Sequence, residues 1–178
     1  EKVIQMIEPN EVKAEAKKKE NENLKFRTFL KNHADEMILD KQFLELHRKI
    51  FADYDCSKCR NCCKMYAGSI PVEDIEKDAA YLKMAKEEFM KQYLCQDDIE
   101  GIYPTVHTPC DFLQEDGNCL LGDCKPENCA KYPYTDQPNR LWSLYSVLEA
   151  VEVCPAAFEI YERLKEEYGF RTYRGRRK

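Results

Sequence analysis

Apolar residues recur at steps of three and four over much of this chain, and where that rhythm fails cysteine takes over. From Leu24 to about Phe51, Phe26, Phe29, Leu30, Met37, Ile38, Phe43, Leu44, Leu46, His47 and Phe51 fall on the stripes expected of amphipathic helices. Asn32 to Asp35 and Asp40 offer breaks, so the pattern suits either a helical hairpin or one long helix. A helix is expected from Pro71 or Val72 to about Leu82, because proline suits the first turn and Glu73 and Asp74 suit its positive end. A second follows over Lys86–Leu94, with Phe89, Met90, Tyr93 and Leu94 on one side. Leu141 to Tyr168 reads as helix interrupted at Cys154-Pro155, supplying Trp142, Leu144, Val147, Leu148, Val151, Phe158, Ile160, Tyr161 and Leu164 to a core.

The remaining segments lack that period. Residues 1–23 mix Lys, Glu, Ala and Asn with few groups to bury, and are expected to fray or form an exposed arm. Ile99 to Thr108 suits one or two short strands or an irregular loop, and from there to Pro138 little regular structure is expected. Asp116-Gly117-Asn118, Gly122-Asp123, Lys125-Pro126 and Tyr132-Pro133 break the chain repeatedly. The reading is a mainly α-helical single domain at 24–168 around an irregular cysteine-rich centre with few short strands. An arm at 1–23 and a basic tail at 169–178 flank it.

Composition fits this frame. The 178 residues are 43% hydrophobic and 34% charged, a soluble globule with exposed helices, and apolar runs of only a few residues leave no membrane span. No secretory leader is visible. The net charge of −5 argues against nucleic acid as a partner of the whole chain, although Arg171, Arg174, Arg176, Arg177 and Lys178 make the tail basic.

Ten cysteines are the outlier. A disulfide framework belongs to small loop-rich chains, and neighbours such as Cys62 and Cys63 make a strained start for a bridge. Metal ligation is the better reading, and a reducing, cytoplasmic setting follows from it. Cys56, Cys59, Cys62 and Cys63 crowd into eight residues with polar, basic or amide neighbours. Cys110, Cys119, Cys124, Cys129 and Cys154 are available downstream to complete the coordination. The two-residue spacing with a remote Cys154-Pro155 resembles the bacterial ferredoxin arrangement of an iron–sulfur cluster, while a C-x2-C pair meeting two distant thiols fits tetrahedral zinc. One or two centres are compatible with the thiol count. Cys95 reads as a buried structural cysteine, and His33, His47 and His107 as ordinary histidines, His107 being the one near enough to Cys110 to act as ligand or acid/base. Tyr66, Tyr103, Tyr132 and Tyr134 flank the cysteine loops and read as walls against water.

Cys56-x2-Cys59-x2-Cys62-Cys63, then Pro109-Cys110-Asp111-Phe112-Leu113, then Cys119, Pro126 and Cys129 with Tyr132-Pro133, resembles the YkgJ-type CxxCxxCC family of zinc- or iron-chelating domains. The likeness runs from about Asp55 to Pro155, and flagellin lysine N-methylases carry a similar cluster. It implies metal ligation by Cys56, Cys59, Cys62, Cys63, Cys110, Cys119, Cys129 and Cys154, with Cys124 in reserve. Lys125 stands where the family usually has arginine, and Gly122 where tyrosine is common.

No phosphate-binding glycine loop, dinucleotide fingerprint, H-E-x2-H or C-x3-C-x2-C is present. Three classes of function therefore stand: a metal-binding module holding an iron–sulfur cluster or zinc; a metalloenzyme acting on a protein substrate, by analogy with flagellin methylation; and a zinc-stabilised adaptor for a protein or nucleic acid. Catalytic residues, substrate and oligomeric state are not legible in the sequence.

Overall fold

The computed structural model describes residues 6–170; residues 1–5 and the basic tail from Arg171 onward lie outside the described residues. The chain divides into two compact units, Cys56–Tyr132 and the segments on either side of it.

The flanking segments form a helical unit. It contains α1 (Val12–Lys18), α2 (Glu20–His33), α3 (Glu36–Phe51), α9 (Leu144–Val151) and α10 (Pro155–Glu167). Of the two readings of the first apolar stretch, the hairpin is adopted. Ala34 and Asp35 are extended, and the Asp35 carboxylate accepts a hydrogen bond from the Ile38 N–H at 3.0 Å, capping α3. α10 packs along α3 and α9 and touches α1. Phe26, Leu30, Leu39, Phe43, Leu144, Val147, Ile160, Tyr161 and Leu164 are buried, each contributing about 1.5–3 kcal/mol by leaving water. Lys165 is buried too, held by Glu22 at 2.8 Å and Glu162 at 2.6 Å.

Three expectations change here. The polar arm is helix from Val12 onward and buries Val12, Ala16 and Asn23, because alanine and valine at a four-residue step suffice to dock one face. Met37 and Ile38 lie on the exposed side of α3, since the stripe of α3 follows Leu39, Phe43, Leu46 and Ile50. Trp142 is 70% exposed rather than core. It precedes α9, and its ring takes Lys31 at 4.1 Å on its face and donates its N–H to Glu36 at 3.0 Å.

The cysteine unit is built from short pieces. α4 (Cys56–Cys59) and α5 (Asn61–Met65) carry the clustered thiols, and β1 (Ser69–Pro71) pairs antiparallel with β2 (Ile102–Pro104), Ile70 opposite Tyr103. Between the strands, a single 3-10 turn at Val72–Asp74 leads into α6 (Ile75–Tyr81), and α7 (Lys86–Tyr93) follows. α8 (Glu127–Lys131) and a 3-10 turn at Gly122–Cys124 add more regular structure than expected before Pro138, because Pro126 begins a helix that Tyr132-Pro133 soon stops. Ile70, Ile75, Ala79, Phe89, Leu94, Phe112 and Leu121 form a small core, against which Cys110, Cys119 and Cys124 pack. The helical content and the single two-stranded sheet make the described chain mainly α.

Candidate metal centre

Every cysteine except Cys154 belongs to the cysteine unit, and all ten are free thiols. The unit brings three stretches of chain together, each by an identifiable local device.

The first device is Arg60. It takes a left-handed conformation, φ 51°, which stops α4 and starts α5 on a new course. A left-handed L-residue costs about 1–2 kcal/mol. The consequence is that Cys56 and Cys59 sit on one helical turn and Cys62 and Cys63 on another, with the Cys62 and Cys63 sulfurs 4.0 Å apart.

The second device is a miniature hairpin after the cis Thr108–Pro109 peptide. The Cys110 N–H donates to the Cys63 carbonyl at 2.8 Å, tying this segment to the motif. Leu113 then bridges Cys119 around the Asp116-Gly117-Asn118 turn, closed by the Gln114 N–H to the Asn118 carbonyl at 2.9 Å and the Asn118 N–H to the Asp116 carboxylate at 2.9 Å. Gly117 is required at its φ of 84°, and a side chain there would press on the Ser57 carbonyl at 3.2 Å. The turn that delivers Cys119 therefore rests against α4. Phe112 anchors the hairpin in the small core, its ring 5.0 Å from Tyr93 and 5.9 Å from Phe89.

The third device places Cys129. The Asn128 amide donates to the Ser69 hydroxyl at 3.0 Å, pinning α8 to β1, and the Ser69 N–H points at the Cys129 sulfur. Gly68, just before β1, exchanges hydrogen bonds with Thr105. A Cβ at Gly68 would come within 2.7 Å of the Cys110 sulfur and 2.8 Å of Thr105. The chain is thus bare of side chain where it passes closest to that sulfur.

Electrostatics bind these thiols into one neighbourhood. The Cys63 thiol is pulled down to about 6, chiefly by the hydrogen bond from Cys62, with help from the charges of Lys125 and Arg60. Burial pushes Cys110 up to about 11 against a hydrogen bond from the Phe112 N–H, and the charges of Cys63, Cys129 and Cys119 add to the rise. Cys129 is likewise raised by burial, with Cys63 and Cys119 acting against its ionisation and Lys125 favouring it. Cys63, Cys110, Cys119 and Cys129 thus feel one another. Among the described residues, no three His, Cys, Asp or Glu side chains stand as a ready-made metal-holding group. The fit to zinc or an iron–sulfur centre accordingly rests on donor chemistry, on the bare backbone at Gly68 and on the N–H groups aimed at sulfur.

The other sequence candidates are placed as follows. Cys56 is exposed on the rim of α4, while Cys59 is half-buried. Cys124 packs against the small core from the 3-10 turn. Cys95 is half-buried rather than fully so, its thiol donating to the Thr105 carbonyl at 3.6 Å. Cys154 belongs to the helical unit, where its sulfur accepts from the Ala157 N–H at 3.5 Å at the start of α10. His107 is exposed and pairs with Asp111 at 2.7 Å, and His47 meets the Thr135 hydroxyl at 2.8 Å. Tyr66 and Tyr132 meet edge to face at 6.2 Å.

Sequence reasoning missed Arg60, Gly68, Ser69 and Asn128. A glycine two residues before the β-branched Ile70 was the available signal for Gly68. Lys125 stood out only as a departure from arginine, yet its charge reaches Cys63 and Cys129. At Gly122 the hydroxyl of Tyr81 fills the space a side chain would need, so α6 supplies an aromatic ring where the loop has none.

No curated protein and no solved structure matches the chain. One family model does, over residues 55–155: the CxxCxxCC family, described as "Putative zinc- or iron-chelating domain". Its match takes in the whole cysteine unit and more than half of the chain. This chain therefore belongs to the CxxCxxCC family.

Proposed function

We propose that the cysteine unit binds a metal centre through thiolates, with Cys63, Cys110, Cys119 and Cys129 as its closest-knit donors and Cys56, Cys59 and Cys62 as further ligands of the same or a second centre. One observation carries this reading: sulfurs from three separate stretches of chain share an electrostatic neighbourhood that also contains Lys125. Several thiolates in one place repel one another unless a cation is present, and four sulfurs suit zinc or an iron–sulfur cluster. Bound there, the metal would cross-link loops that bury little apolar surface, and a cluster would add electron transfer. The chain's own contribution is to hold the sulfurs, to aim the Ser69 and Phe112 N–H groups at them and to balance charge with Arg60 and Lys125.

Elemental analysis, acid-labile sulfide and an absorption spectrum of the full chain purified without oxygen test the reading. Iron with sulfide and a brown thiolate-to-iron band identifies a cluster, and colourless protein with about one or two zinc per chain identifies closed thiolate sites. Cys110→Ser and Cys129→Ser should each lower the metal content at least severalfold. Protein without metal, whose native thiols all react freely with a thiol reagent, would refute the proposal.

A further inference from the structure

Where β1 and β2 run out, a side chain takes over part of the ladder. Continuing the register of Ser69 with Pro104 sets Gly68 opposite Thr105. Directly paired residues at such a position of an antiparallel ladder exchange two backbone hydrogen bonds. Here backbone makes only one of them. The Thr105 N–H donates to the Gly68 carbonyl at 2.8 Å, whereas the Gly68 N–H turns to the Thr105 hydroxyl at 2.7 Å. The Thr105 carbonyl, which a regular ladder would have used, accepts from the Cys95 thiol at 3.6 Å instead. Gly68 is buried and Thr105 is 2% exposed, so without the hydroxyl the Gly68 N–H has no solvent to turn to.

This clamp adjoins two of the candidate ligands. The backbone at Gly68 runs against Cys110, since a Cβ there would lie 2.7 Å from the sulfur and 2.8 Å from the Thr105 methyl. The next residue, Ser69, aims its N–H at the Cys129 sulfur, and its hydroxyl accepts from Asn128 at 3.0 Å, one residue before Cys129. Moving Gly68 therefore disturbs both sulfurs. The Thr105 hydroxyl also donates to the His107 carbonyl at 3.5 Å, on the stretch that leads through Pro109 to Cys110. One side chain thus holds both the entry to β1 and the loop that delivers Cys110.

We infer that Thr105 is a positioning residue for the metal centre, its hydroxyl seating the Gly68–Ser69 peptide against the Cys110 and Cys129 sulfurs. This rests on the metal reading above and adds to it a residue outside the cysteine motif. Thr105 acts through Gly68 and Ser69. N–H groups held on a thiolate tune its donation to a metal, and outer partners of this kind are worth about 10–100-fold in affinity. Cys95 serves the same arrangement by occupying the Thr105 carbonyl.

The test compares Thr105→Val, which keeps the shape and loses the hydroxyl, with Thr105→Ser, which keeps the hydroxyl and loses the methyl. The full chain, reduced and freed of metal without oxygen, is titrated with cobalt(II) against a chelator. Thr105→Val should bind about tenfold more weakly and shift the sulfur-to-cobalt absorption band, and Thr105→Ser should behave as the parent. In metal-free protein, alkylation should speed up severalfold at Cys110 and Cys129 of Thr105→Val and stay unchanged at Cys56 and Cys154. A Thr105→Val chain that melts earlier but keeps the parent's cobalt affinity, band and alkylation pattern would overturn the inference. So would Thr105→Ser as impaired as Thr105→Val, which would assign the effect to the methyl group. Should Thr105→Val not fold, amide exchange of the parent decides, because a Gly68 amide that exchanges freely in metal-free protein rules the clamp out. A parent that takes up no cobalt refutes the metal reading, and selective alkylation then still shows whether Thr105 seats these two sulfurs.

Discussion

The two units of this chain are stabilised by different means. In the helical unit, long helices meet along continuous apolar stripes, and Phe26, Leu30, Phe43, Tyr161 and Leu164 are excluded from water. In the cysteine unit the elements are short, the core is seven buried residues, and much of the path is fixed by turns, left-handed residues and single hydrogen bonds. Burial sets the first fold, and turn geometry with single hydrogen bonds over a small core sets the second. Stability and metal content should therefore respond to different mutations.

The largest effect expected is Phe43→Ala, which should cost the helical unit about 3–5 kcal/mol in chemical denaturation. Metal content per folded chain should stay unchanged. A parallel loss of metal would show that the units do not respond separately.

Asp78 comes next. It is 0% exposed, and its carboxylate oxygens accept no hydrogen bond. Burial pushes it up from 3.8 to about 6, against the pull of Lys77, whose nitrogen is 4.0 Å away. A carboxylate raised by folding holds its proton more tightly in the folded state, so stability falls as pH rises from about 4 to about 6 and is level above that. The loss is about 3 kcal/mol. Asp78→Asn removes it, so the stability of the variant relative to the parent should rise by about that amount between pH 4 and 7. A difference that does not change with pH would contradict a buried carboxyl without hydrogen bonds.

A smaller effect is expected at the hairpin turn. Gly117→Ala meets both a positive φ and the Ser57 carbonyl, and should cost the cysteine unit about 1–2 kcal/mol. Amide exchange should speed up around Cys119 first.

The smallest effect is expected at Cys154. Its sulfur caps α10, and serine is a better cap, so Cys154→Ser should shift stability by under about 1 kcal/mol. Metal content should be retained. Loss of metal would instead show Cys154 to be a ligand, as the family resemblance implies.

These contrasts follow how each region could be read. Helices at three- and four-residue period were legible, and so were the break at Cys154-Pro155 and the turn at Asp116-Gly117-Asn118, because each depends on neighbours in sequence. Trp142, Met37 and Ile38 were misplaced, since periodicity does not say which of two adjoining stripes faces the core. The polar arm was underestimated because two small residues sufficed to dock it.

For this protein, then, the sequence by itself determined the helical class, the family and the collection of thiols, all properties of local pattern and spacing. Only the tertiary structure decided which thiols share a neighbourhood, that Lys125 and Arg60 attend them, that Asp78 is sealed from water and that Cys154 serves a helix end. Charge, burial and sulfur contacts act through space between residues far apart in the chain, and no local pattern records those distances.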